Sequence, residues 1–229
     1  MFAFDFHNKE HAVKLVFTPN PKYIHKVLAV AHEAQVVDRI TMVRSVPFDS
    51  DTLIWNYNPL GNVPCLILKS GEPLFGGLVI CEYIDSLSRT GKSVFPTGPA
   101  RWRALRQAML GDGMFDATTN MRVEGWRPAA ERHTDYMLRE RRKVINALDM
   151  MEKEAPQFAK AKFHIGHICM AGGLSYLELR NPIQEHDMVK GDKTYHWRKG
   201  RANLARWFEK IMKRPSLAWR YAHPGDTRG

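Results

Sequence analysis

Gly76 and Gly77 stand in LFGGLVICEYID, residues 74–85, where a strand-like pair of residues runs into an amphipathic segment. Twin glycines at a helix opening either bring backbone close to a ligand or mark binding side chains that are missing. The first turn of a helix has unpaired amides and the positive end of the dipole. The amides of Gly77 and Leu78 therefore suit a carboxylate. Glycine also caps a helix tolerably, so the fold hardly suffers. Among ten histidines, His164 and His167 lie three apart at the start of an apolar segment, where both can face one side. No third ligand of suitable spacing is near, so the pair reads as structural and no metal is expected. Cys65, Cys81 and Cys169 each sit in an apolar run, as reduced, buried thiols of a cytoplasmic protein do. No nucleophile elbow, phosphate loop or metalloprotease helix occurs.

The elements that must position these residues follow from apolar spacing. AVKLVF (12–17) reads as a buried strand, broken by TPNP, and apolar residues from Tyr23 to Ala34 recur at helical intervals. DRITMVRS alternates as a second strand from Ile40, CLILK is a third, and EPLF a short fourth after the turn Ser70-Gly71. Val79, Ile80, Tyr83, Ile84 and Leu87 then share one helical face. Val63-Pro64 precedes a strand, where proline removes a ladder donor, and marks a special bond with cis the natural candidate. SVFPTGPA (93–100) has the composition of a linker. Beyond it the chain reads as helical: a long segment from Arg101 interrupted at Gly111 and Gly113, a second from Ala129 to Glu154, a third from Ile165 to Leu179, and a fourth in NLARWFEKIMKRPS. The expected organisation is a leader at 1–11, a small mixed domain at 12–92, the linker, and a helical domain at 101–229.

The 229 residues are 44% hydrophobic and 25% charged, ordinary for one large or two small globular domains. No apolar run is long enough to span a membrane. Asp5 and its polar neighbours break the opening MFAFDFHNKEH, which does not read as a signal peptide. Net charge is +10, and the excess concentrates from Lys190 onward, with eleven Lys/Arg against three acids. That run is a solvated helix face or a patch for an anionic partner.

NPLGNVPCLIL, PLFGGLVICEYID, FPTGPARWRALR, RVEGWRP, IGHICMAGGLSYLELR and RPS together resemble the cytosolic glutathione transferase superfamily, in particular bacterial members with an active-site serine. The resemblance implies a thioredoxin-like N-terminal domain, an all-helical C-terminal domain, a homodimer, and a ligand cleft between the domains. It implies glutathione as cofactor. The backbone of Val63, ahead of Pro64, would pair with the cysteinyl part, and a small-molecule second substrate would lie against Tyr23, Met109, Gly113, Asp116 and Trp126.

Two positions depart from that pattern. Relatives carry an acid and a serine where this chain has Gly76-Gly77; those side chains hold the ammonium and carboxylate of the γ-glutamyl end. Relatives also open the first helix with a serine whose hydroxyl donates to the thiol, and here the gapless match is Pro21, which donates nothing. Thr18 and Asn20 are the near substitutes, each also suited to a turn or cap. Lys22 and His25, read as exposed first-turn residues, could add positive charge beside an anion. The expected function is a divergent glutathione-dependent enzyme, performing thiol conjugation or ether or thioether cleavage on an aromatic or anionic hydrophobic substrate. The alternative is a glutathione-independent enzyme or a non-catalytic binding protein of the same fold.

Overall fold

The computed structural model describes residues 13–18, 21–47, 49–50, 52–185 and 195–218. Two compact units divide at Ser93/Val94. In the first, strands β1 (Val13–Phe17), β2 (Ile40–Arg44), β3 (Cys65–Ile67) and β4 (Pro73–Phe75) form a sheet of order β2-β1-β3-β4. β1 and β2 are parallel and joined through helix α1 (Pro21–Glu33), since a parallel pair needs a crossover. β3 runs antiparallel to β1 and β4. Every residue of β3, and all but Lys14 of β1, is buried, which explains their continuous apolar character. Pro73 opens an edge strand, where its missing donor is tolerated.

Val16, Ile54, Cys65 and Ile67 form one core of this unit, with Val43, Tyr57 and Val63 packed against it. α1 buries Ile24, Val27, Leu28, Ala29, Val30 and Ala31, nearly its whole circumference. His25 is drawn in with them and is 8% exposed, which corrects its reading as an exposed first-turn residue. The wetter side of α1 carries Lys26, His32 and Glu33, and the packing around the rest of the helix encloses His25. Helix α2 (Gly77–Ser86) packs beside α1 and buries Ile80, Cys81 and Ile84.

The second unit is built on α3 (Pro99–Glu124), α4 (Thr134–Phe158) and α5 (Ile165–Leu179), followed by α6 (Pro182–Glu185), α7 (Ala202–Ile211) and α8 (Pro215–Ala218). α3 is continuous through Gly111 and Gly113, against the expected interruption. Its glycines have different uses. A Cβ on Gly111 would stand 2.5 Å from the Cys169 carbonyl oxygen and the Met170 nitrogen of α5, whereas a Cβ on Gly113 meets nothing within 4 Å. A Cβ on Gly173 would in turn stand 2.7 Å from Gly111 O, so two backbones meet where neither glycine has a side chain. Gly111→Ala is expected to cost about 1–3 kcal/mol by forcing the helices apart. Gly113→Ala should leave stability within about 1 kcal/mol of wild type, since alanine is the better helix former. Denaturant melts of the two variants check both.

α5 begins with two histidines in a reciprocal cap. His164 Nδ1 accepts from the Gly166 amide at 3.1 Å, and His167 Nδ1 accepts from the His164 amide at 3.2 Å. The rings stack with centroids 3.9 Å apart. His167 Nε2 lies 3.0 Å from Phe158 O and, with Nδ1 accepting, is the donor there. The structural reading of this pair therefore corresponds to its position, and the two rings serve the backbone. All three cysteines are buried and none is in a disulfide.

Part of the described positive charge after Lys190 is tied up locally. Arg198 pairs with Glu178 and Glu209, and Arg201 with Asp149. Among the described residues, no helix is long and apolar enough to cross a membrane.

Candidate functional site

The sheet registers assemble the nominated residues of the first unit. Val16 pairs with Cys65 across β1 and β3, and Cys65 with Phe75 across β3 and β4. Beyond these last pairs lie Thr18 after β1, the Val63-Pro64 bond ahead of β3, and Gly77 two residues after Phe75. The group of three has Val63 ahead of the strand that lies between β1 and β4. It occupies one end of the sheet, where the chain leaves β1, enters β3 and begins α2.

The Val63-Pro64 peptide is cis. Asn58 holds the loop that leads to it. Its side chain is 2% exposed, donates to Asn62 O at 2.7 Å and accepts from the Leu60 amide at 3.0 Å. Gly61 takes φ +65° beneath the Trp55 ring, which leaves no room for a side chain. Among the described residues, nothing pairs with the backbone N–H or C=O of Val63, so both are available to an extended ligand.

Gly76 is the N-cap of α2, with φ 88° and ψ 113°, a backbone conformation that an L side chain strains to adopt. No side chain caps this helix. The first intrahelical donor is Ile80, which donates to Gly76 O at 3.0 Å, so the amides of Gly77, Leu78 and Val79 have no partner inside the helix. An acid at position 76 would have room but would be strained in this backbone conformation.

The open side of Gly77 is filled from α1. A Cβ there would collide with Lys26 Cε and stand 2.7 Å from Lys26 Nζ. The lysine ammonium thus lies at the opening of α2, where the sequence shows only two missing side chains. Lys26 was not legible as a site residue, because its contact with Gly77 depends on how α1 and α2 pack. The one available signal is that it falls one helical turn after Lys22.

Thr18 is half-buried, directly after β1, and its hydroxyl has no partner among the described residues. Asn20 lies outside the described residues, and of Tyr23 only the backbone position in α1 is described. Pro21 opens α1, where its missing N–H costs nothing. Backbone groups at Val63, Gly77 and Leu78 thus fit a cysteinyl peptide and a carboxylate. Nothing at positions 76 and 77 offers an acceptor to an ammonium.

In the helical unit, Met109, Gly113 and Asp116 follow one another along one exposed face of α3, with Met109 57% exposed. Trp126 lies just beyond α3, 58% exposed, with the Arg122 guanidinium 5.4 Å above its ring. This unit also has an open groove of about 1190 Å³ lined by Glu124, Arg127, Asp135, Arg139, Arg142 and Ile145. None of the nominated residues lines it.

A mixed four-stranded sheet with a cis-proline ahead of its third strand, followed in the chain by an all-helical unit, defines the glutathione transferase fold. The family "Glutathione S-transferase, N-terminal domain" matches residues 22–87. A glutathione transferase family member from Pseudomonas fluorescens Pf-5, solved with bound glutathione, is 31% identical, with 90% of this chain and 97% of that one covered at a TM-score of 0.79. A glutathione S-transferase from Methylobacillus flagellatus KT, solved with glutathione bound, is 28% identical over 90% and 98% of the two chains, also at 0.79. The uncharacterized GST-like protein YibF of Escherichia coli (strain K12) is 27% identical over 90% of this chain and 96% of its own. The chain belongs to the glutathione transferase superfamily.

Proposed function

We propose that this protein is a divergent glutathione-dependent enzyme, catalysing thiol conjugation or ether or thioether cleavage on an aromatic or anionic hydrophobic substrate. The meeting of Thr18, Val63 and the start of α2 at one end of the sheet carries this reading. It brings a hydroxyl, a peptide without a backbone partner among the described residues and a helix opening to the same edge of the first unit. Glutathione would supply the thiol. The Val63 backbone aligns the cysteinyl residue, the Gly77 and Leu78 amides meet a carboxylate, and the Thr18 hydroxyl, or Asn20, donates to the sulfur. Two similar proteins that hold glutathione support the choice of tripeptide. Met109, Gly113, Asp116, Tyr23 and Trp126 are assigned to the second substrate, and the protein is proposed to work as a cytoplasmic homodimer.

One observation favours the alternative, a glutathione-independent protein of the same fold: Lys26 fills the space beside Gly77. Calorimetric titration with glutathione and S-hexylglutathione decides between them. Replacing two charge-assisted contacts at roughly 1.5–3 kcal/mol each weakens binding by about two to four decades. Dissociation constants from micromolar to low millimolar are the expected result. No heat up to several millimolar of either ligand would sink the glutathione reading.

A further inference from the structure

Helices α4 and α7 lie side by side and finish at the same end of the helical unit. Arg201 pairs with Asp149, and the Leu204 amide donates to Glu152 at 2.7 Å. The Phe158 and Trp207 rings meet edge-on with centroids 4.8 Å apart, and the Arg214 guanidinium lies 3.9 Å from the centre of the Phe163 ring. These contacts run in step along both helices, so residues 159–163 and 210–214 come together where the helices end. The two stretches contain Lys160, Lys162, Lys210, Lys213 and Arg214 and no acid. The four lysines are exposed, and none pairs with an acid among the described residues. We propose that this end of the helical unit is an interaction surface for double-stranded DNA, gripped through its phosphates without regard to sequence. The proposal is independent of the functional reading above.

Helix packing accounts for only part of this charge. Cations favour helix C-termini, where the dipole amounts to about half a negative charge per helix. Two such ends offset about one of the four lysine charges. The acids that could take up the rest are engaged elsewhere: Glu154 with Arg106, Glu209 with Arg198, and Glu152 with the Asn203 and Leu204 amides. About three charges are left for a partner, and the neighbouring side chains select among anions. Lysines are compact point charges on flexible stems, suited to phosphates along a backbone rather than to one planar carboxylate. A membrane surface calls for apolar side chains that insert beside the charges, but Trp207 and Phe208 are only 6% and 4% exposed. A single strand calls for exposed rings on which bases stack, and the half-buried Phe163 already carries the Arg214 guanidinium over its ring. Neither stretch has a hydroxyl or amide side chain to contact a ribose 2′-hydroxyl or a base edge. Phosphate contact to a DNA duplex satisfies the whole set.

The test is fluorescence anisotropy of a labelled DNA duplex of about 20 base pairs, titrated with the full chain between about 50 and 200 mM salt. A dissociation constant on the order of 10 μM or tighter is expected at the lower salt. Three to four phosphate contacts give a slope of log K against log salt of about −3, a loss of roughly sixtyfold across this range. Lys210→Gln with Lys213→Gln should flatten that slope by about two, and Lys160→Gln with Lys162→Gln by a similar amount. Lys69→Gln with Lys92→Gln removes the same net charge from exposed positions of the first unit and should leave the slope unchanged. An equal loss in that control would reduce the binding to net charge and overturn the proposal. So would the absence of any anisotropy change up to about 100 μM protein at the lower salt, a range that covers non-specific duplex binding. Tighter binding to an RNA duplex, to poly-L-glutamate or to phosphatidylserine vesicles than to the DNA would also overturn it, and would assign the surface to that other class of anion.

Discussion

On acidification from pH 7 to about 4, the helical unit is expected to lose at least roughly 3 kcal/mol of stability through the cap of α5 alone. Both imidazoles are held well below their usual value of 6.5. Burial lowers His164 to about 4. For His167, burial first, then the neighbouring His164 and the Arg214 charge, lower it to about 3 despite the bond to Phe158 O. The groups facing the pair are few. Arg214 sits 3.9 Å above the Phe163 ring, and that ring stacks on His167. The α3 backbone approaches from the other side, where Ala104 O would lie 2.7 Å from a Cβ on Gly166.

The direction follows from which state binds protons. Between pH 6.5 and the folded values, unfolded imidazoles are protonated and folded ones are not, so unfolding takes up protons and stability falls with pH. The contribution is complete above about 6.5 and is lost as pH drops through 4 and toward 3. The chemical reason is visible at Nδ1. In both rings that atom accepts a backbone amide, and a proton there converts the acceptor into a donor and breaks both halves of the cap. A drop from 6.5 to about 4 corresponds to roughly 3 kcal/mol for one imidazole. Chemical denaturation at pH 7, 5.5 and 4.5 measures it, with the double variant His164→Ser, His167→Asp as the comparison. Serine and aspartate restore a capping box that does not titrate in the upper part of this window. The variant should flatten the pH dependence; an unchanged slope would place its origin elsewhere.

How much of this could be read in advance depends on how local the cause is. The strands around Leu15 and Leu66 announce themselves because central positions need apolar residues on both faces. The order of elements and the two-part architecture follow from that. The fate of the glycines was not local. Gly111 continues α3 because α5 presses its backbone there, and no spacing within α3 records the presence of Cys169 or Met170. Gly77 reads as a loss until α1 is packed beside α2 and Lys26 is found in the space. His25 reads as exposed for the same reason, since its burial is set by the elements that pack on α1. The residues that carry backbone chemistry, Val63 and Pro64, were legible because proline constrains its own neighbourhood. Side chains that act across helices were not.

Replacing Thr18 by alanine is expected to reduce turnover about a hundredfold with little change in thiol affinity. The hydroxyl is a side-chain donor at the end of the sheet where the chain enters β3. It follows β1 directly, at the end of a strand whose Leu15, Val16 and Phe17 are at most 1% exposed and hold its position. Its half-burial lowers the local dielectric, so a hydrogen bond to a sulfur that gains negative charge is worth more there than in water. Removing one positioned donor to a developing charge typically costs a factor of a hundred to a thousand. The lower end applies here, because the positive opening of α1 remains to assist the anion. Affinity should hold, since the Val63 backbone and the α2 amides make their contacts without the hydroxyl. The decisive measurement is the thiol's spectrophotometric titration in the complex beside kcat. Thr18→Ala should raise the bound thiol's pKa and lower kcat together, and Thr18→Ser should restore both. A variant that keeps wild-type turnover removes Thr18 from the mechanism and transfers the role to Asn20, whose alanine variant then shows the same paired loss.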